Sequence, residues 1–235
     1  MIDNQYLNIN NYKAIAIKEG FEIFEADYKD YNINIWGIRS KNRIAGTFDD
    51  LMIVFWKYNG VWHQETFKIT TDPSDISLIN TTHKLGCAIV KKGQYKGIWK
   101  LDFHKDRKDH PALRQVKEIT VYRDFNKNDV LDIPDVKSLK PSRINTYNYQ
   151  GGIVKDYYSN SILIYREHRG IFGINCHRAS MYQLLQRVGL YSEGCQVHQS
   201  YSKYTKEFLP IIKEAVEKWG NKFSYTLINE EDFYE

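Results

Sequence analysis

Short runs in which apolar and polar residues alternate occupy much of the chain between residues 31 and 170. They are YNINIWGIRS, LMIVFWKY, VWHQETFKIT, GCAIVKKGQYKGIWKLDF, VKEITVYR and SILIYRE. A period near two, with many aromatic and β-branched residues, predicts half-buried β-strands. YNG between the second and third runs predicts a hairpin turn, and TDPSD predicts a break after the third. We therefore expect a β-rich body with antiparallel or mixed sheets.

Helical spacing is confined to the two ends of the chain. NNYKAIAIKEGF places Tyr12, Ile15 and Ala16 on one face before Gly20, which is typical of a left-handed helix cap. Near the C-terminus, EFLPIIKEAVEKWG predicts a helix and FSYTLI a closing strand. The buried face of this second helix is predicted to carry Phe208, Ile212, Ala215 and Trp219. The predicted fold class is α+β and β-dominated, with an N-terminal helical appendage at 1–30 and a body at 31–235.

Composition indicates a globular protein and argues against two classes of partner. The chain is 42% hydrophobic and 26% charged, and its 33 basic and 29 acidic residues are scattered along it. We therefore expect no nucleic-acid surface. The first thirty residues lack signal-peptide features, and no run of about eighteen apolar residues occurs. We expect a chain made in the cytoplasm without a signal peptide and without a membrane span.

The three cysteines, Cys87, Cys176 and Cys195, are too few and too irregularly spaced for a disulfide framework or a metal site. Alternation predicts that Cys176 is a core residue, and Cys87 is expected to be buried as well. Cys195 differs because it follows Gly194 in SEGCQ, in a turn whose backbone amides are expected to face an oxyanion.

A thiol attacks as thiolate, and an imidazole beside it assists ionisation from its ordinary pKa of about 8.5. The segment 171–175 predicts a strand that delivers His177 at its end, from which it could reach Cys195. The residues alone leave a second interpretation open, because an isolated cysteine is often a small buried hydrophobe and an isolated histidine is often structural.

The spacing H-x14-S-E-G-C, from His177 to Cys195, resembles the signature of the L,D-transpeptidase catalytic domain. More narrowly, the chain is similar to a phage and gut-bacterial group of such proteins in IWGIRS, GTFDD, FKITTDP, KGQYKGIWKLDFHK, ALRQ, VYRDFNKN, GINCHRAS, GCQV and GNKFSYTLI. The resemblance implies a β-sandwich core with a few peripheral helices. It also implies an acyl-enzyme formed by Cys195, with His177 as base, on a peptidoglycan stem peptide.

This chain departs from the family pattern beside the nucleophile. It has Glu193 where many members have histidine, and Val197 where many have arginine. Arg178 could replace that arginine as a carboxylate-binding group, or form a structural ion pair instead. Ser192 could orient the imidazole or cap the turn. His104 could bind substrate in the cleft or be an ordinary half-exposed strand residue.

The segment RDFNKNDVLDIPD has oxygen-bearing side chains at the one, three, five, nine and twelve spacing of a calcium loop. They are Asp124, Asn126, Asn128, Asp132 and Asp135. Asp129 occupies the sixth position, where glycine is usual, so a solvated acidic turn is the alternative to a structural calcium site. The segment 127–150 is predicted to be a long loop, and the proposed chemistry requires no cofactor or catalytic metal.

Together these features predict a phage-encoded, peptidoglycan-acting cysteine enzyme whose thioester is resolved by water or an amine. The loss of the arginine favours hydrolysis, although the sequence leaves both outcomes open. Delivery with a virion or release at lysis would bring such a protein to its substrate. The alternative is a structural component of a phage tail or capsid, in contact with other virion proteins, that keeps the fold with an idle cysteine site.

Overall fold

A computed structural model describes residues 2–234 as thirteen strands and four helices, with short 3-10 turns between some of them. The strands are β1 (Asn34–Arg39), β2 (Asp50–Tyr58), β3 (Val61–Thr70), β4 (Cys87–Val90), β5 (Gly93–Phe103), β6 (Pro111–Gln115), β7 (Ile119–Asp124), β8 (Arg143–Tyr149), β9 (Gly152–Ser159), β10 (Ile162–Gly170), β11 (Cys176–Arg178), β12 (Gln196–His198) and β13 (Phe223–Asn229). The helices are α1 (Ile9–Glu19), α2 (Asp75–Ile79), α3 (Tyr201–Lys203) and α4 (Leu209–Trp219), and a π-helical turn, Tyr204–Phe208, joins the last two.

Eight strands close into a ring in the order β1-β13-β5-β6-β11-β12-β3-β2. The other five form a sheet in the order β4-β7-β10-β9-β8. In the ring, β1 pairs with β13 and β11 with β12 in parallel, whereas β2 and β3 form an antiparallel hairpin. The β-dominated fold, with few helices and mixed pairing, is therefore confirmed.

The main core joins the ring to the second sheet. Ala88 of β4 and Val121 of β7 pack in one cluster with Met52 and Phe67 of the ring and with Ile212 of α4. Burial of this apolar surface is the main force that holds the two sheets and the C-terminal helix together. The edge of the second sheet near β4 is thereby fixed against the ring.

Helix α1 covers the outer face of β1 and β2. Its Tyr12 ring lies 4.8 Å from the ring of Phe55 and 5.8 Å from that of Trp36. Asn8 caps its first turn and Gly20 ends it with φ at 70°, as the sequence predicts. Strand β2 is buried on both faces, which explains why LMIVFW is almost continuously apolar.

Two local predictions are wrong. Residues 171–175 are not a strand, because the amides of Phe172 and Ile174 both donate to Oε1 of Gln115, at 2.9 and 2.8 Å, instead of to a neighbouring strand. Within the predicted loop, residues 143–149 form β8, an edge strand that pairs with β9. Six of the seven residues of β8 are exposed, so the strand has no apolar face from which it could be predicted.

Within residues 2–234, no helix has the length and apolar character needed to cross a membrane.

Candidate active site

Parallel pairing of β11 with β12 places the turn that carries Cys195 beside the strand that carries His177. His177 is the register partner of Val197, and the Gln196 amide donates to the Asn175 carbonyl oxygen at 2.8 Å. Cys195 immediately precedes β12 and packs against the apolar cluster that contains Val197.

The His177 imidazole is buried and oriented by its own strand. Its Nδ1 lies 2.8 Å from the carbonyl oxygen of Arg178, so Nδ1 carries the proton and Nε2 presents a lone pair. In the described part of the chain, nothing hydrogen-bonds to this buried Nε2. Burial holds the pKa of His177 well below its usual value, and the nearby His104 acts in the same direction. The imidazole is therefore neutral, the form that a general base requires.

The Cys195 thiol is partly exposed and protonated at rest. Its Sγ donates to the Gly173 carbonyl oxygen at 3.4 Å. Burial raises the pKa of the Cys195 thiol to about 11, although the Asn175 backbone and the charge of Lys105 act to lower it. The expected assistance to ionisation is not present in this resting arrangement, because the neutral His177 gives the thiolate no cationic partner.

Ser192 and Gly194 shape the turn before the cysteine. Ser192 Oγ accepts from the Gly194 amide at 3.1 Å and lies 2.9 Å from the carbonyl oxygens of Asp72 and Cys195. The Gly194 amide is therefore engaged within the turn and does not face an oxyanion, in contrast to the prediction. A Cβ at Gly194 would lie 2.4 Å from the Ala88 carbonyl oxygen, so glycine is needed here for close approach to β4. Glu193 is exposed.

Two further histidines surround His177. The His104 ring centroid lies 4.1 Å from that of His177, and His110 lies 4.9 Å from His104 and 5.4 Å from His177. Burial lowers the pKa of His104 and of His110 to about 4, and the positive charge of Arg178 contributes to both shifts. His104 was predicted at this cleft, whereas His110 was not. His110 lies six residues after His104, and a short turn joins them. The His104 amide donates to the His110 carbonyl oxygen across this turn, which brings the two rings together.

This cluster of imidazoles does not form a metal site. Within residues 2–234, no group of three or more histidine, cysteine, aspartate or glutamate side chains has an arrangement that could hold an ion. The three rings are tilted or edge to face, and the half-buried His104 and the buried His110 form a neutral wall beside His177.

Arg178 is buried next to the site, with 4% of its surface exposed. Its guanidinium donates to the carbonyl oxygen of Ala179 at 3.0 Å and lies 5.3 Å from the Tyr201 ring. The predicted structural ion pair is not formed within residues 2–234, and the guanidinium supports the turn that follows β11. The carboxylate-binding role stays a prediction, because the buried Nε has no hydrogen-bond partner within the same residues.

The predicted calcium ligands do not converge on a common point. Asp124 accepts from the Asp132 amide at 3.0 Å, and Asn126 turns its amide nitrogen toward the Asp132 carboxylate. Asn128 accepts from the Val130 amide and Asp135 from the Lys137 amide. In this arrangement the oxygens close successive turns of the loop, and the structural calcium site stays a prediction.

No family model matches this chain, and comparisons with curated proteins and with solved structures likewise give no match. Its function is therefore inferred from the geometry of the site and from the sequence resemblance.

Proposed function

We propose that the chain is a cysteine enzyme that forms a thioester on a peptide carbonyl and passes the acyl group to water or an amine. One observation carries the proposal: Cys195 immediately precedes β12, whose parallel partner β11 carries His177, and the buried Nε2 of His177 has no partner within residues 2–234. A solvent-accessible thiol beside a neutral imidazole is an arrangement suited to nucleophilic catalysis.

The resting protonation states determine the order of proton transfer. As Cys195 Sγ attacks the carbonyl carbon, His177 Nε2 takes the thiol proton, and the carbonyl electron pair becomes the oxyanion. When the carbon–nitrogen bond breaks, His177 returns that proton to the leaving amine. Water or a second amine then attacks the thioester, and His177 again moves the proton. We assign oxyanion stabilisation to the Cys195 amide, since that of Gly194 is bonded to Ser192.

The substrate class rests on the resemblance to the L,D-transpeptidase catalytic domain. A peptidoglycan stem peptide is the substrate it implies, and the ring of eight strands with its attached sheet would correspond to the β-sandwich core of that family. Val197 is fully buried in β12, so nothing at this position can bind a substrate carboxylate. That difference favours hydrolysis over transpeptidation.

Digestion of purified peptidoglycan tests the proposal. We expect the wild-type chain to release or join peptides, detected by mass spectrometry, and Cys195→Ala to give none of these products. Cys176→Ala, at a buried cysteine whose Sγ faces His198 on the opposite side of β11 from His177, is the matched thiol control and should remain active. Equal products from wild type and Cys195→Ala would refute the role of Cys195.

The outer end of the second sheet favours a second candidate, a structural component of a virion. Ile144 of β8, Ile153 of β9 and Ile162 of β10 are all exposed, and assembly with another protein would cover them. In that case the chain would associate through this end of the sheet, and Cys195→Ala would leave assembly intact. Inactivity on peptidoglycan together with stable association would select this candidate.

A further inference from the structure

A cavity of about 490 Å³ lies between the second sheet and the turn that carries Cys195. Its size falls within the range of small-ligand sites. Its wall includes His83, Lys84, Arg123, His168, Phe172 and Glu193.

Cys195 does not itself line this cavity, but the segment that accepts its thiol proton does. Ile174 and Phe172 line it on either side of Gly173, whose carbonyl oxygen accepts from Cys195 Sγ. Glu193, two residues before the cysteine, lies on its rim. The cavity therefore lies next to the segment 172–174 and the turn before Cys195.

Arg123 is the unusual group in the wall. It is 5% exposed, and its Nε and Nη2 both point to Nδ1 of His168, at 3.2 and 3.0 Å, while Nη1 donates to the Gly86 carbonyl oxygen at 3.2 Å. These bonds leave one N–H on each terminal nitrogen. The Phe172 ring lies 4.6 Å from the guanidinium carbon and holds it from one face.

Arg123 has no carboxylate partner among residues 2–234, since its hydrogen bonds go to a histidine and a backbone carbonyl. Burial without a counter-charge lowers the pKa of Arg123 to about 10. Arg39 differs because it is buried and paired with Asp72 at 2.9 Å, and the half-buried Arg166 is paired with Asp156. Arg178 is also buried without a carboxylate partner within residues 2–234, but it does not line this cavity. A buried cation without a partner is costly, and a ligand that brings an anion would remove that cost.

We propose that Arg123 binds a carboxylate of the acyl-donor peptide, so that the cavity selects substrates that carry a free carboxylate in addition to the carbonyl that Cys195 attacks. This inference rests on the proposed function and names a specificity residue for it. A carboxylate fits the two terminal N–H groups because the guanidinium presents them in one plane. His168 fixes the other edge of the guanidinium, and it can accept at Nδ1 only in its neutral form.

Binding can be measured separately from catalysis in full-length Cys195→Ala, which cannot form the thioester. The probes are N-acetyl-D-alanyl-D-alanine and its C-terminal amide, titrated while ¹⁵N–¹H spectra are recorded. We expect the free acid to bind about tenfold or more tightly than the amide, because a charge-assisted pair is lost in the amide. Arg123→Gln, added to Cys195→Ala, should abolish that difference.

Arg143→Gln is the matched control, because Arg143 is exposed on β8 and the same charge is removed away from the cavity. It should keep the preference for the acid. Arg123→Lys retains the charge without the planar pair of donors, so it should prefer the acid less strongly than Arg123 does. This variant still tests the proposal if Arg123→Gln does not fold. Equal affinity for acid and amide, or no binding of the acid, would overturn the proposal. If the wild-type chain does not digest peptidoglycan while Cys195→Ala still prefers the acid, the result would count against the proposed function and not against the role of Arg123.

Discussion

Nδ1 of His177 and the carbonyl oxygen of Arg178, the next residue in the same strand, are 2.8 Å apart. The bond fixes the tautomer of the imidazole without a carboxylate, so Nε2 is held as the proton acceptor. The wall formed by His104 and His110 excludes water from the other sides of the ring. The base is therefore oriented by backbone and kept neutral by burial.

Replacement of His177 should remove general-base catalysis. We expect His177→Asn to lower kcat by about 10²–10⁴-fold, the usual contribution of a positioned base. His63→Asn, an exposed histidine on β3, should retain wild-type kcat. Rates of peptide release from peptidoglycan measure both, and an unchanged rate in His177→Asn would exclude the histidine from the reaction.

The protonation of Cys195 predicts an unusual alkylation profile. Because burial raises the thiol pKa to about 11, the thiolate fraction should increase about tenfold per pH unit between pH 8 and 10 and reach no plateau near 8.5. Iodoacetamide labelling followed by peptide mass spectrometry measures this rate at each cysteine. A plateau near pH 8 at Cys195 would show that an imidazolium partner forms at rest.

The depressed pKa of His177 predicts the acid side of the activity profile. A base whose pKa is lowered stays neutral to a lower pH, so kcat/KM should not fall as pH decreases through about 6.5, the ordinary histidine value. Measurement of peptide release between pH 5 and 8 tests this. A half-maximal point near 6.5 would indicate a solvated imidazole.

Gly194 should be sensitive to any side chain. Gly194→Ala would place a Cβ 2.4 Å from the Ala88 carbonyl oxygen at a φ of 126°, so we expect a loss of roughly 2–4 kcal/mol in the free energy of unfolding. Gly220→Ala is the control, since its φ of 84° is also positive but nothing lies within 4 Å of the added carbon. Urea titration measures both variants. Equal losses would show that backbone conformation alone, and not contact with β4, requires glycine at 194.

Much of the fold could be predicted from local pattern, because most strands have one apolar face. The hairpin between β2 and β3 and the end of α1 at Gly20 follow from turn and cap residues. Closure of the ring could not be predicted, since it depends on parallel pairing of Ile35 with Tyr225, far apart along the chain. Strand β8 was missed because an exposed edge strand needs no apolar alternation.

The site was predicted only where a local motif marks it. His177 and Cys195 stand out through the H-x14-S-E-G-C spacing, whereas His110 and Arg123 reach the site through tertiary packing of other strands. Their positions follow from the pairing of β5 with β6 and of β4 with β7, which no short motif encodes. The engagement of the Gly194 amide by Ser192 likewise depends on the fold of the turn.

The most direct test is the intact mass of the wild-type chain, acid-quenched soon after it is mixed with soluble peptides released from peptidoglycan. We predict an added acyl mass that maps to the Cys195 peptide, is absent from Cys195→Ala and forms much more slowly in His177→Asn. No adduct at Cys195 in a chain that still processes these peptides, or an adduct that forms equally fast without His177, would contradict the proposed pairing of this thiol with this imidazole.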